Sequence, residues 1–104
     1  MNVMVISVHP DDETLGCGGT ILKHINQNDD LFWLIMTEAS EDLGYSKKFL
    51  LRRANQIEEV SQVYQFNKTY RLGLPATKLH TLDFSELIPK LSDVIQEVKP
   101  EIIY

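Results

Sequence analysis

The chain has 104 residues, 43% of them hydrophobic, which suits one small globular domain, or part of one, with a modest core. Fifteen acidic residues against ten basic give a formal charge of −5, which argues against a nucleic-acid or anionic-membrane partner, because phosphate contacts need clustered Lys and Arg and the only basic pairs are Lys47-Lys48 and Arg52-Arg53. No apolar run has the length of a membrane span, no secretory signal is visible, and the single cysteine, Cys17, cannot form an internal disulfide; a cytoplasmic protein is expected.

Val3–Val8 is short, rich in valine and isoleucine, and apolar on both faces, as a central strand of a parallel sheet is. It empties into His9-Pro10-Asp11-Asp12-Glu13. Thr14 to about Asn28 reads as a helix with Leu15, Leu22 and Ile25 on its apolar face. Gly16, Gly18 and Gly19 in its first turns suggest close backbone approach to the sheet or to a ligand. Leu31–Met36 is a second strand, and a polar loop from Thr37 to Tyr45 follows it. Ser46 suits the cap of a second helix, striped by Leu50, Ile57, Val60 and Tyr64. Thr69–Leu72 is a third strand, which Gly73-Leu74-Pro75 is expected to break. Leu87, Leu91, Ile95 and Val98 mark a third helix beginning close to Pro89 or kinked there. Pro100 stops it, and Glu101–Tyr104 begins a fourth strand.

The order β-α-β-α-β-α-β implies a Rossmann-like α/β fold: a parallel sheet with helices on both faces. Ligands of such folds bind at the carboxyl ends of the strands. His9–Glu13, Thr37–Asp42 and Gly73–His80 all fall at that edge.

One imidazole and three carboxylates in five residues point to metal binding and acid–base chemistry. Zinc takes imidazole nitrogen and carboxylate oxygen and keeps a position for water at catalytic sites. His9 and Asp12, three apart on a tight turn, can both reach one ion, which leaves Asp11 to act as a base towards the attacking water. Glu13 is expected to orient His9 or Asp12, or to cap the helix that follows. The bland alternative is an acidic complement to a helix N-terminus, with His9 as a turn residue. A magnesium-binding receiver domain is disfavoured, because the third strand ends without an Asp. A dinucleotide site is disfavoured too: Gly16-Cys17-Gly18-Gly19 lacks the G-x-G-x-x-G spacing.

With His9-Pro10-Asp11-Asp12-Glu13 followed by Thr14-Leu15-Gly16-Cys17-Gly18-Gly19-Thr20, the chain resembles the LmbE-like, or PIG-L, deacetylases. The resemblance extends through Leu31–Thr37, Arg53 and Leu72-Gly73-Leu74-Pro75. It implies a zinc-dependent hydrolase that removes the acetyl group from an N-acetylglucosamine-containing small molecule. His9 and Asp12 would ligate zinc and Asp11 would be the general base. The family's third ligand is a His in a later segment, so the chain reads as the N-terminal portion of such a domain. A glutamate common in the family's second helix is Gln56 here, and the acidic residue that often follows the Gly-Leu-Pro turn is Ala76. The alternative is a non-catalytic α/β binding module that keeps the loop.

Arg53, Glu38 and His80 are the candidate substrate contacts; His80 could also stand in for the missing ligand. His24 reads as a surface histidine, Trp33 as a core residue, and Cys17 as a small thiol packed against the sheet. A free edge strand raises the expectation of a homo-oligomer.

Overall fold

The structure is a computed structural model and describes residues 1–75 and 83–104. Four strands, β1 (Asn2–Ser7), β2 (Asp30–Glu38), β3 (Lys68–Pro75) and β4 (Ile102–Ile103), form one sheet in the order β3-β2-β1-β4. Every pairing is parallel, as the alternating pattern predicts. β1 and β2 pair in unbroken register from Asn2↔Asp30 to Ser7↔Ile35. Both strands are buried on two faces, which explains their continuous apolar composition.

Alternation along those strands sorts the core into two layers. Val3, Val5, Leu31, Trp33 and Ile35 face α1 (Asp12–Asn26) and α2 (Lys47–Val63), meeting Ile21 from one and Ile57 from the other. Met4 and Leu34 face α3 (Phe84–Val98) through Val94 and Val98. Helices therefore cover both faces. The chain crosses from β3 at one edge to β4 on the far side of β1, so the order of strands reverses beside β1. The His9–Glu13 segment follows the carboxyl end of β1, beside that reversal, where ligands of such sheets bind.

Several local expectations are corrected. The buried residues of α1 include Ile21 and His24, whereas Leu15 and Leu22 are exposed. The helix axis breaks at Cys17, which takes φ −147° and ψ 27° among the glycines, so the apolar period does not run straight through. Only Gly18 of that run is crowded: a Cβ there would lie 3.2 Å from the Tyr64 hydroxyl, while Gly16 and Gly19 face open space. β3 is not broken at Gly73. It continues to Pro75 through a bulge in which Leu72 and Gly73 oppose Met36, and Gly73 supplies the required φ of 71°. α3 starts at Phe84, with Pro89 inside its sixth position rather than at its start.

His24 is a further correction. It is buried, not on the surface: Nδ1 lies 2.7 Å from Asp29 Oδ2 and Nε2 2.9 Å from the Tyr104 hydroxyl. The ring ties the end of α1 to β4. One partner lies beyond the end of the helix and the other 80 residues along the chain, so both are invisible to a helical-wheel reading. Trp33 is fully buried as expected, and the Ser46 hydroxyl accepts from Phe49 N at 3.1 Å as the α2 cap. Among the described residues no helix is long and apolar enough to cross a membrane.

Candidate active site

The loop after β1 is tied from beneath. Trp33 Nε1 donates to Ser7 Oγ at 2.9 Å, and Ser7 Oγ donates to Glu13 Oε2 at 3.2 Å. Glu13 is 2% exposed, and its Oε2 also accepts from Asp11 N at 2.9 Å. Its Oε1 takes the Thr14 hydroxyl at 3.2 Å, which leaves Tyr64 as the donor in the 2.9 Å contact between the Tyr64 and Thr14 hydroxyls. Every buried side-chain polar atom among the described residues has a partner, so this network is satisfied. Glu13 thus supports the backbone of the loop and the start of α1, not the side chains of His9 or Asp12.

Above this support His9 and Asp12 turn towards each other. Asp12 Oδ2 accepts from His9 N at 2.9 Å, and His9 Nδ1 stands 3.9 Å from the same oxygen. Nitrogen and oxygen ligands of one tetrahedral zinc stand about 3.4 Å apart, so a small rotation brings both donors onto one ion. Side-chain exposures of 47% and 44% leave both free to make it. The donor set therefore fits a zinc ion, through imidazole and carboxylate. Among the described residues no third His, Cys, Asp or Glu joins the group. Cys17 does not offer itself: burial, with the charge of Glu13 adding, pushes its thiol up towards the protonated form. It packs against the core, as its sequence context suggests.

Asp11 lies between the two candidate ligands in an unusual conformation, φ 137° and ψ −20°, which side chains other than glycine rarely adopt. As the residue capping α1 it makes no side-chain cap bond, so its carboxylate is uncommitted there. It lines a cavity of about 330 Å³ with His9 and Pro10, at the small end of ligand pockets. The cavity's far walls come from the end of β2 (Thr37, Glu38), from Arg71 of β3, from Tyr45 just before α2, and from Phe49 and Arg53 of α2. A second, more apolar groove of about 430 Å³ adjoins it across Pro10, Asp11 and Arg53, and runs between α1 and α2 over Leu15, Gln56 and Val60.

The candidate substrate residues divide. Arg53 enters the cavity, where its Nη1 donates to Pro10 O at 3.1 Å and its guanidinium lies 5.5 Å from the Phe49 ring centre. Glu38 also lines the cavity, and its carboxylate is paired with Arg71 across the β2–β3 edge. His80 lies outside the described residues. Tyr45, Phe49 and Arg71 carry no motif, and sequence reasoning misses them. Arg71 is opposite Ile35 in the register, and its side chain reaches along the sheet edge to Glu38 at the end of β2. The two aromatic rings stack at 4.9 Å from neighbouring segments, which nothing in their spacing announces.

A diacetylchitobiose deacetylase of Thermococcus kodakarensis is 29% identical over 103 residues, covering 92% of this chain and 34% of that protein. A conserved protein of Thermus thermophilus superposes with a TM-score of 0.82 at 25% identity, over 99% of this chain and 44% of its own. An N,N'-diacetylchitobiose deacetylase of Pyrococcus horikoshii, complexed with its inhibitor, superposes with a TM-score of 0.81 at 24% identity, over 97% and 39%; at that identity the likeness establishes the fold alone. The chain thus spans about a third of the length of the curated relative it matches. The family model described as PIG-L: GlcNAc-PI de-N-acetylase matches residues 4–104, nearly the whole length, and on that ground the chain belongs to this family.

Proposed function

We propose that this chain carries the metal loop of a zinc-dependent hydrolase that removes the acetyl group from an N-acetylglucosamine-containing small molecule. The reading rests above all on one observation: an imidazole and a carboxylate converge to 3.9 Å beside a cavity lined by that imidazole and by a further aspartate, Asp11. Family membership and the deacetylase relative support it. His9 and Asp12 would hold the ion, through imidazole and carboxylate. A zinc ion so held supplies Lewis acidity, polarising the acetyl carbonyl and making a neighbouring water easier to deprotonate near neutral pH.

Asp11 takes the proton of the attacking water, and that proton is the one the departing amine requires. The cavity of about 330 Å³ accommodates a single sugar ring. Within it Arg53 presents the donors that Pro10 leaves unused, and Glu38 accepts from sugar hydroxyls once it exchanges its contact with Arg71. His80 completes the proposed substrate contacts. Glu13 supports the loop from behind. We place the protein in the cytoplasm, consistent with its free cysteine, and propose that it forms a homo-oligomer, which light scattering would reveal.

The test is metal analysis with acetate release from N-acetylglucosamine conjugates. Asp11→Asn should cut the rate about 10²–10⁴-fold while zinc stays bound. Full activity in that variant refutes the mechanism. The convergence of only two donors among the described residues favours a second reading, a binding module without turnover. Sugar binding with no acetate release from the wild type would select it.

A further inference from the structure

Of the three peptide groups between the two proposed ligands, the central one, Pro10–Asp11, has both of its polar atoms held by ionisable side chains. Its oxygen accepts from Arg53 Nη1 at 3.1 Å. Its N–H donates to Glu13 Oε2 at 2.9 Å. The two partners approach from different sides of the loop. Arg53 comes from α2, and its guanidinium rests on Phe49, which stacks in turn on Tyr45. Glu13 comes from the first turn of α1 and is fixed by Ser7 and, through Ser7, by Trp33.

The mechanical consequence follows from backbone geometry. The orientation of a peptide plane sets the ψ before it and the φ after it. The proline ring already fixes the φ of Pro10. With the plane clamped, the φ of Asp11 is fixed as well, at the unfavourable value of 137°. Released, Asp11 would relax to negative φ, swinging His9 and Asp12 relative to each other. Bonds from a guanidinium and to a carboxylate are the stronger kind, suited to holding a strained unit.

We infer that Arg53 and Glu13 form a two-sided clamp on the Pro10–Asp11 peptide, and that the clamp sets the spacing of His9 and Asp12 for the metal. Both are positioning residues. This rests on the metal reading above and extends it, since Arg53 acquires a task it performs before any substrate arrives. A merely substrate-binding Arg53 would leave metal affinity untouched.

The experiment uses the full-length protein and zinc alone, with two readouts. Calorimetric titration gives zinc affinity; amide hydrogen exchange by NMR, without metal, follows the Asp11 N–H. Arg53→Ala, in which both ligands remain, should weaken zinc binding about 10-fold, as loss of an outer-shell partner does. It should also speed exchange of the Asp11 amide. Arg53→Lys should retain part of the affinity, because an ammonium can meet the carbonyl without the planar stack. Glu13→Ala, which removes the acceptor of the Asp11 N–H, should resemble Arg53→Ala, and the double variant should lose little more than either, since both hold the same peptide. Glu13 is buried, so if its variant fails to fold, Arg53→Ala decides alone. Unchanged exchange at Asp11 in Arg53→Ala overturns the clamp, whatever happens to zinc. Faster exchange with unchanged zinc affinity overturns its link to the metal. A wild type that binds no zinc sinks the metal reading itself and the clamp's purpose with it, while exchange still reports whether the clamp exists.

Discussion

Asp11→Gly should make the protein more stable while abolishing the proposed chemistry. Asp11 sits at φ 137°, and a non-glycine residue so placed costs about 1–3 kcal/mol. Glycine removes that cost but loses more freedom on folding, which returns about 0.5–1 kcal/mol. The loss of a helix cap is small here, because the Asp11 side chain makes no cap bond. The balance is a gain of ~1 kcal/mol. For a domain of this size that raises Tm by roughly 4–8 °C. Asp11→Ala is the control: it removes the same carboxylate but keeps the Cβ, so its Tm should stay level or fall. Thermal melts followed by circular dichroism, with urea titration as a second measure, compare the three proteins. Replacing Ala by Gly normally destabilises; here the order should invert. A glycine variant less stable than the alanine variant would refute the argument that this backbone is strained and held by its surroundings.

Two further outcomes test the support of the site and the far end of α1. Trp33→Phe keeps a buried aromatic but removes the donor to Ser7 Oγ, and should lower stability by about 1–2 kcal/mol, read by the same melts. The hydrogen bond from His24, with the N-terminal amine adding, holds the Asp29 carboxyl below its ordinary value. A carboxyl lowered in the folded state contributes stability that is complete above its unfolded pKa of about 3.9 and is lost as pH falls through the lower folded value. Melts across that acid range should therefore show a decline that Asp29→Asn flattens; an identical acid limb in the variant contradicts the pairing.

The reading of the sequence failed where side chains from distant segments meet. Leu15 and Leu22 fit a helical stripe, yet the break at Cys17 turns them to solvent and puts Ile21 inward. His24 reads as polar surface because its partners, Asp29 and Tyr104, become neighbours only when β4 joins β1. Gly73 reads as a strand breaker, but parallel pairing with β2 carries β3 past it as a bulge. Tyr45, Phe49 and Arg71 reach the cavity by the same tertiary route.

The sequence by itself determined the parallel α/β order, the place of the ionisable loop after the first buried strand, and the cap of α2. These are local matters: period, composition and turn chemistry act over a few residues and do not wait for the rest of the chain. Only the tertiary structure decided that Glu13 is held from beneath by Ser7 and Trp33 so that it supports backbone instead of ligands, and that Arg53 grips the Pro10 carbonyl from a separate helix. Those contacts depend on where α1 and α2 come to rest on the sheet, and packing of whole elements, not the spacing of residues, sets that position.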